Sequence, residues 1–138
     1  MEPIKILLVE DDPGHARLIE RNLRRGGITN EIVPVDNGQG AIDYLEGACT
    51  YGDHKNLIVL LDLNLPVIDG YQVLQRIKSN PRMKKLPVII LTTTDVPLEV
   101  ERCYELGCNI FVTKPVRYDD FCSAVHNLGL LISTATIP

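Results

Sequence analysis

Residues 56–70, NLIVLLDLNLPVIDG, carry the pattern that decides the fold. The apolar run 57–61 ends at Asp62, and Pro66 prevents the strand from continuing. A continuous apolar run of this length, bounded by turn residues, is typical of a strand that is covered on both faces. A carboxylate directly after such a strand is unexpected, because ionised carboxylates are costly to bury. The remainder of the chain must therefore account for Asp62.

Composition restricts the class of protein. The chain has 138 residues, 45% hydrophobic and 23% charged, which predicts one globular domain with a real core. Its net charge is −4 and its basic residues form no long cluster, so neither nucleic acid nor a membrane surface is an expected partner. No apolar run approaches the roughly 18 residues that span a bilayer. The N-terminus, MEPIKILLVEDD, does not resemble a signal peptide, because carboxylates interrupt its apolar stretch.

The cysteines indicate a reducing, cytoplasmic setting. There are four of them, without the paired spacing of a zinc site: Cys49, Cys103, Cys108 and Cys122. We expect free thiols, with a zinc site as the alternative.

Apolar runs and helical patterns alternate five times along the chain. The strands are predicted at IKILLV, EIVPV, LIVLL, PVIIL and IFVT, each followed by an amphipathic helix. Asp12 and Pro13 are typical of a helix start. Such alternation favours a parallel sheet with helices on both faces. Pro34 cannot donate to a strand ladder, so the second strand is predicted at an edge.

Polar residues follow four of the five predicted strands. They are Glu10, Asp11 and Asp12 after the first strand, Asp62 after the third, Thr92, Thr93 and Thr94 at the end of the fourth, and Lys114 after the fifth. Asp12 is expected to cap the helix. Ligands of open parallel sheets bind outside the carboxyl ends of the strands. These side chains are therefore predicted to meet in one site.

Three carboxylates in one site require a positive partner. Carboxylates about 5 Å apart repel by roughly 3 kcal/mol at an effective dielectric constant near 20. Lys114 can neutralise one charge, and a dication with oxygen ligands can neutralise the others. A few carboxylates completed by water and backbone oxygen describe Mg²⁺ better than Ca²⁺ or Zn²⁺. A carboxylate, a lysine and a hydroxyl beside Mg²⁺ suit nucleophilic attack on a phosphoryl group.

The motifs LLVEDD, LLDLNLPVIDG, VIILTT and FVTKP, in this order and spacing, resemble the receiver domain of bacterial two-component response regulators. The resemblance covers essentially the whole chain. Within the family, the segments YLEGACTYGDHKNLIVLLDLNLP and LLISTATIP resemble the single-domain regulators that partner bacterial phytochromes. The resemblance implies a flavodoxin-like, doubly wound, five-stranded parallel sheet with strand order 2-1-3-4-5 and five helices.

The resemblance also implies roles for the residues at the strand ends. Asp62 would be the phosphorylated residue, and Lys114 its ion-pairing lysine. Asp11 and Asp62 would bind Mg²⁺ through their carboxylates, Asn64 through its backbone carbonyl and Glu10 through a water molecule. Thr92 would turn its hydroxyl toward the phosphoryl group. The bond between Lys114 and Pro115 would be cis.

Four further residues have implied or alternative roles. Phe111 lies where the family has an aromatic switch that acts together with Thr92, and plain core is its alternative. Asn64 and Thr94 occupy positions that tune the lifetime of the phosphoryl group. His15 is expected to be a solvated imidazole, with modulation of the site as the alternative. His54 and His126 are expected to be solvated.

The expected function is that of a signalling switch. Residues 1–138 would form one receiver domain, with its core at about 3–131, a tail at 132–138 and no output domain. It would accept a phosphoryl group from a sensor histidine kinase, with a bacteriophytochrome as the candidate, and change its affinity for partners. It would not be an enzyme in the usual sense. A homodimer is expected, with contacts from strand five or from an apolar tail, which is Leu130, Leu131, Ile132 and Ile137.

Three other functions are alternatives for this sequence. An aspartyl-nucleophile phosphohydrolase would need a second acid two residues after Asp62, where the chain has Asn64. A flavin-binding electron carrier would need a hydroxyl- and glycine-rich loop after the first strand, where the chain is acidic. A receiver-like docking module that is never phosphorylated remains the third alternative.

Overall fold

The computed structural model describes residues 4–52 and 54–134, along which strands and helices alternate. The strands are β1 (Lys5–Val9), β2 (Ile32–Val35), β3 (Leu57–Leu61), β4 (Val88–Thr92) and β5 (Ile110–Thr113). The helices are α1 (Pro13–Arg25), α2 (Gly38–Thr50), α3 (Gly70–Ser79), α4 (Pro97–Glu105) and α5 (Tyr118–Thr134). Within these ranges, no helix is long and apolar enough to cross a membrane.

The five strands form one parallel sheet in the order β2-β1-β3-β4-β5. This confirms the predicted fold class and strand order. Every residue of β3 and β4 is buried, because helices cover both faces of the sheet there. β2 lies at one edge, as Pro34 predicted.

Alternate residues of each central strand point into two separate cores. Leu7 and Val9 of β1 join a core formed with α2, α3 and α4. Ile6 and Leu8 join the core on the opposite face, formed with α1 and α5. The period of two along a strand therefore divides the apolar side chains between the two helical layers.

Helix caps fix the geometry where strands turn into helices. The Asp12 carboxylate accepts hydrogen bonds from the backbone N–H groups of Gly14 (2.8 Å) and His15 (3.1 Å), and Pro13 is the first residue of α1. This confirms the predicted start of the helix. Asp69 and Gln72 form a reciprocal capping box at the start of α3. These caps hold two helix starts at the edge where the strands end.

Two helices are longer than their sequence patterns predicted. The segment NGQGAIDYLEG predicts a short second helix that ends at Gly47, but α2 continues three residues further, and Ala48 and Cys49 are buried there against the core. α5 continues to Thr134, beyond the predicted end of the core at 131. Burial of apolar side chains in these extra turns stabilises the helical conformation.

The predicted apolar tail is only partly correct. Leu130 and Leu131 are about half exposed, as expected. Ile132 is buried, because α5 turns it into the core that α1 and α5 share. Ile137 lies outside the described residues.

α1 and α5 approach each other closely through two glycines. A Cβ atom on Gly129 would lie 2.9 Å from the carbonyl oxygen of Leu23 and 3.2 Å from the Cα of Gly26. A Cβ atom on Gly26 would lie 2.4 Å from the carbonyl oxygen of His126. Larger side chains at either position would separate the two helix backbones.

Candidate functional site

The carboxyl ends of four strands bring the predicted polar residues to one edge of the sheet. Glu10, Asp62, Thr92 and Lys114 are all buried there, with 4%, 6%, 0% and 5% of their surfaces exposed. Asp11 lies beside them and is exposed. The hydrogen bonds of the parallel sheet place neighbouring strand ends side by side, which is why residues distant in sequence meet.

Three carboxylates converge in this site. Glu10, Asp11 and Asp62 each offer an oxygen atom, and these atoms all lie within 4.8 Å of one another. Among the described residues, no second group of acids, histidines or cysteines is gathered in this way. All four cysteines are free, and none belongs to the acidic cluster.

Lys114 neutralises part of this charge. Its Nζ contacts Glu10 Oε1 and lies 3.3 Å from Asp62 Oδ2, and its side chain is 3% exposed. The lysine therefore bridges two carboxylates, with Glu10 as its nearer partner. The sequence prediction paired it with Asp62 alone.

The two bridged carboxylates differ in acidity. Burial and the hydrogen bond with Asp62 raise the pKa of Glu10 to about 7, against the opposing effect of Lys114. Burial also disfavours ionisation of Asp62, but the hydrogen bond with Glu10 and the charge of Lys114 outweigh it and lower the pKa of Asp62. Asp62 is therefore the more acidic carboxyl group of the pair.

Asn64 connects the ends of β3 and β4. Its backbone N–H donates to Asp62 Oδ1 at 3.2 Å. Its side-chain Nδ2 donates to the hydroxyls of Thr92 at 3.4 Å and Thr93 at 3.3 Å. The family resemblance implied a backbone role and a role in phosphoryl lifetime for Asn64, but it did not indicate this side-chain bridge. Thr94 lies in the following loop, where its carbonyl accepts from the Thr113 hydroxyl at 3.4 Å.

Phe111 is half-buried on β5 and packs against the core of α2, α3 and α4. Its backbone N–H donates to the Tyr104 hydroxyl of α4 at 3.1 Å. The expected cis bond before Pro115 is not found, since every peptide bond between described residues is trans. The trans form is the more stable isomer even before proline.

His15 lies beside Lys114 and Glu10 at the start of α1. Its Nδ1 atom is 3.2 Å from Lys114 Nζ and 3.6 Å from Glu10 Oε1. Its ring packs at 5.7 Å from the Phe121 ring. The imidazole is partly solvated, with 44% of its side chain exposed, and the first turn of α1 directs the ring toward Lys114. The only sequence signal was its position shortly after the acidic residues of β1.

The donor atoms suit a divalent cation. Glu10 Oε2 is buried and has no hydrogen-bond partner in the protein, although buried polar atoms normally have one. Three carboxylates within 4.8 Å provide the hard oxygen ligands that such ions prefer. The residues therefore fit a metal ion, with Glu10 offering an oxygen to the ion or to its water.

A doubly wound parallel sheet with an acidic pocket and a buried lysine at its carboxyl edge defines the receiver class of signalling domain. Residues 6–126 match the response regulator receiver domain, so the chain belongs to this family. Receiver domains are signalling modules of two-component systems that bind a divalent metal at this acidic pocket.

Known relatives narrow the resemblance. The chain is 46% identical to a receiver domain from Rhodospirillum rubrum of solved structure, covering 98% of this chain and 97% of that one, with a TM-score of 0.92. It is 36% identical to response regulator Rcp1 of Synechocystis, covering 99% and 94%. A Mn²⁺-bound structure of Rcp1 superposes with a TM-score of 0.89 and covers 99% of each chain.

The resemblance extends to phytochrome regulators. The phosphorylated cyanobacterial phytochrome response regulator RcpA is 35% identical, covers 99% of both chains and superposes with a TM-score of 0.87. The predicted similarity to phytochrome-associated regulators is thereby confirmed.

Proposed function

We propose that this protein is a phosphorylation-dependent switch that accepts a phosphoryl group on Asp62 from the phosphohistidine of a sensor kinase. One observation carries the proposal. Asp62 ends β3 with a lowered pKa, 3.3 Å from the buried Lys114 and within 4.8 Å of two further carboxylates. An ionised carboxylate beside a fixed cation and a metal-binding cluster is arranged to attack phosphorus.

In the transfer, an Asp62 oxygen forms a bond to phosphorus while the P–N bond to the donor imidazole breaks. Lys114 neutralises one phosphoryl oxygen. Mg²⁺, when bound, supplies further positive charge to the transferring phosphoryl group. Asp11, Asp62, the backbone carbonyl of Asn64 and, through water, Glu10 are the ligands proposed for it. Three carboxylates and no nitrogen or sulfur ligand favour Mg²⁺ over Zn²⁺.

Switching follows from a change of hydrogen-bond partners. Thr92 is fully buried beside Asp62, and its hydroxyl is held by Asn64 in the unphosphorylated protein. A phosphoryl oxygen on Asp62 is a charged acceptor for the O–H of Thr92 and for the ammonium of Lys114, and it draws both groups toward it. Movement at the end of β4 would be transmitted to half-buried Phe111 on the neighbouring strand. Asn64 and Thr94, both neutral, offer an attacking water no charged group, so a long phosphoryl lifetime is proposed.

The principal experiment measures intact mass after incubation with phosphoramidate, a small phosphodonor, with and without Mg²⁺. We expect one phosphoryl group in the presence of Mg²⁺ and none in Asp62→Asn. Asp36→Asn is the matched control, since Asp36 follows the carboxyl end of the outer strand β2 as Asp62 follows that of β3. Retention of the mass gain in Asp62→Asn would disprove the assigned site. Absence of any gain in the wild type would favour the docking module.

A bacteriophytochrome kinase is the proposed phosphodonor, supported by the similarity to RcpA. The chain matches 94% of the length of Rcp1, which supports action as a single-domain response regulator. The direct test is phosphotransfer from a phosphorylated bacteriophytochrome kinase to this chain, compared with an unrelated sensor kinase. Equal transfer from both would argue against the phytochrome assignment.

A homodimer is proposed because a regulator of this kind signals through its own surface. Leu130 and Leu131 are about half exposed near the end of α5, and Tyr104 is equally exposed on α4 beside β5. Exposed apolar side chains of this size mark interfaces. Sedimentation of the phosphorylated and unphosphorylated protein tests the proposal, and a monomer in both states would refute it.

A further inference from the structure

We propose that His15 is a positioning residue for Lys114, holding the lysine ammonium in place through a hydrogen bond to the imidazole Nδ1. The inference rests on the proposed function where it concerns phosphorylation, and on contacts alone where it concerns the lysine.

Every N–H donor of the Lys114 ammonium has an acceptor nearby. A lysine ammonium has three N–H donors and no acceptor. Three acceptors surround Nζ: Glu10 Oε1, Asp62 Oδ2 at 3.3 Å and His15 Nδ1 at 3.2 Å. Each donor thus has one partner, and His15 supplies the only nitrogen acceptor of the three. An ammonium at this distance requires Nδ1 to be the unprotonated nitrogen, so the imidazole carries its proton on Nε2.

Two of the three partners of Lys114 can stay in place when Asp62 is phosphorylated. The donor that now points to Asp62 must turn to a phosphoryl oxygen, while the other two partners can keep their positions. Glu10 and His15 are therefore the two fixed anchors of the ammonium, one on β1 and one on α1. With two anchors the lysine has little freedom to leave the path of the incoming phosphoryl group.

Two contacts hold His15 itself in place. The Asp12 carboxylate accepts the backbone N–H of His15 at 3.1 Å, which fixes the first turn of α1. The imidazole packs against the Phe121 ring of α5 at 5.7 Å with a 34° tilt. A backbone cap and an aromatic contact thus orient the ring from two sides.

Solvent reaches the site on the side of His15. A cavity of about 400 Å³ lies beside the site, and His15, Lys114, Thr93 and Phe121 are among its lining residues. The His15 side chain is 44% exposed, whereas that of Lys114 is 3% exposed. The cavity thus reaches both residues, and an inert replacement of His15 would leave one N–H donor of Lys114 to water.

The test compares His15→Phe, which keeps the aromatic packing but removes the acceptor, with His15→Asn, which can place an amide oxygen near the Nδ1 position. His126→Phe is the matched control, because His126 lies on α5 and touches none of the site residues by hydrogen bond or ion pair.

The first readout is exchange of the Lys114 Nζ protons with water, measured by ¹⁵N-detected NMR on unphosphorylated protein. The signal is identified by its loss in Lys114→Met. We expect exchange about tenfold faster in His15→Phe, the size typical of losing one hydrogen bond to a charged group. His15→Asn and His126→Phe should remain close to wild type. Unchanged exchange in His15→Phe, or no restoration in His15→Asn, would overturn the proposal.

The second readout is the rate of phosphorylation by phosphoramidate. Asp62 attacks phosphorus, the P–N bond breaks and ammonia leaves with the bonding electron pair, so no other reactant is needed. We expect the rate to fall about tenfold in His15→Phe and to recover largely in His15→Asn. A rate equal to wild type in His15→Phe would overturn the role in phosphorylation. If the wild type itself gains no phosphoryl group, the proposed function fails, while the proton-exchange comparison still decides the role of His15.

Discussion

Replacing Lys114 by methionine tests the electrostatic basis of the site. Methionine fills much of the volume of the lysine stem but carries no charge, so the buried Glu10 and Asp62 lose their common counter-ion. Burial and the hydrogen bond with Asp62 raise the pKa of Glu10 to about 7 although Lys114 lowers it, so loss of Lys114 raises the pKa of Glu10 further, and both carboxylates of the variant are ionised only well above pH 7.

The expected magnitude follows from the geometry of the cluster. Oxygen atoms within 4.8 Å of one another repel by about 3 kcal/mol at an effective dielectric constant near 20. Relief of the buried ammonium's desolvation opposes this loss, yet removing one partner of a buried pair generally costs about 3–5 kcal/mol. We therefore expect Lys114→Met to lower the free energy of unfolding by about 3 kcal/mol in metal-free protein.

The assay is urea denaturation followed by circular dichroism, which gives the free energy of unfolding. It is carried out well above the pKa of Glu10, once with a chelator and once with excess Mg²⁺. Mg²⁺ should stabilise Lys114→Met more than wild type, because the ion replaces the missing positive charge and binds more tightly to uncompensated carboxylates. Lys85→Met is the control, since Lys85 is exposed. A variant as stable as wild type in chelator, or one that gains no more than wild type from Mg²⁺, would refute the electrostatic account.

Three further predictions concern single residues. Gly129→Ala should lower the free energy of unfolding by about 1–3 kcal/mol, because its Cβ would meet the backbone of α1. Gly47→Ala, with nothing within 4 Å of its Cβ in α2, should raise the free energy of unfolding by about 0.5–1 kcal/mol. Denaturant titration of both variants separates the effect of crowding from that of helix propensity. Val67 is exposed with φ of 66°, so Val67→Asn should raise the free energy of unfolding by about 1 kcal/mol, and thermal denaturation showing a loss would contradict the inferred strain. Mg²⁺-dependent NMR shifts at the site should be lost in Asp11→Ala and kept in Asp36→Asn, and undiminished shifts in the first variant would remove Asp11 from the metal ligands.

The features that the sequence predicted correctly are those set by local pattern and by sheet geometry. The apolar run 57–61 had to be a central strand, because only a strand covered on both faces is apolar at every position. Pro34 had to lie at an edge, since it has no N–H to donate. Once the strands were parallel, the residues after Val9, Leu61 and Thr92 had to meet at one edge.

The features that the sequence did not predict depend on side-chain directions and on contacts between distant elements. Spacing along the chain could not show that the Asn64 side chain turns toward Thr92, which is 28 residues away. Nor could it show that His15 faces Lys114, which is 99 residues away. Helix periodicity predicts which side of α1 is buried, but not which distant residue contacts a given side chain. The added turns of α2 and α5 likewise depend on burial against surfaces that the other elements build.

The outer strands of the sheet differ from its interior in what they offer to another chain. An unprotected edge strand can pair with the edge of a second copy and begin an indefinitely growing ribbon. On β2 the exposed Pro34 removes one donor, and on β5 the Tyr104 hydroxyl already occupies the outward N–H of Phe111. Copies of this protein that meet at high local concentration are therefore directed toward contacts between side chains. Contacts of that kind end at the two surfaces that meet, whereas a backbone ladder between sheets can add one copy after another.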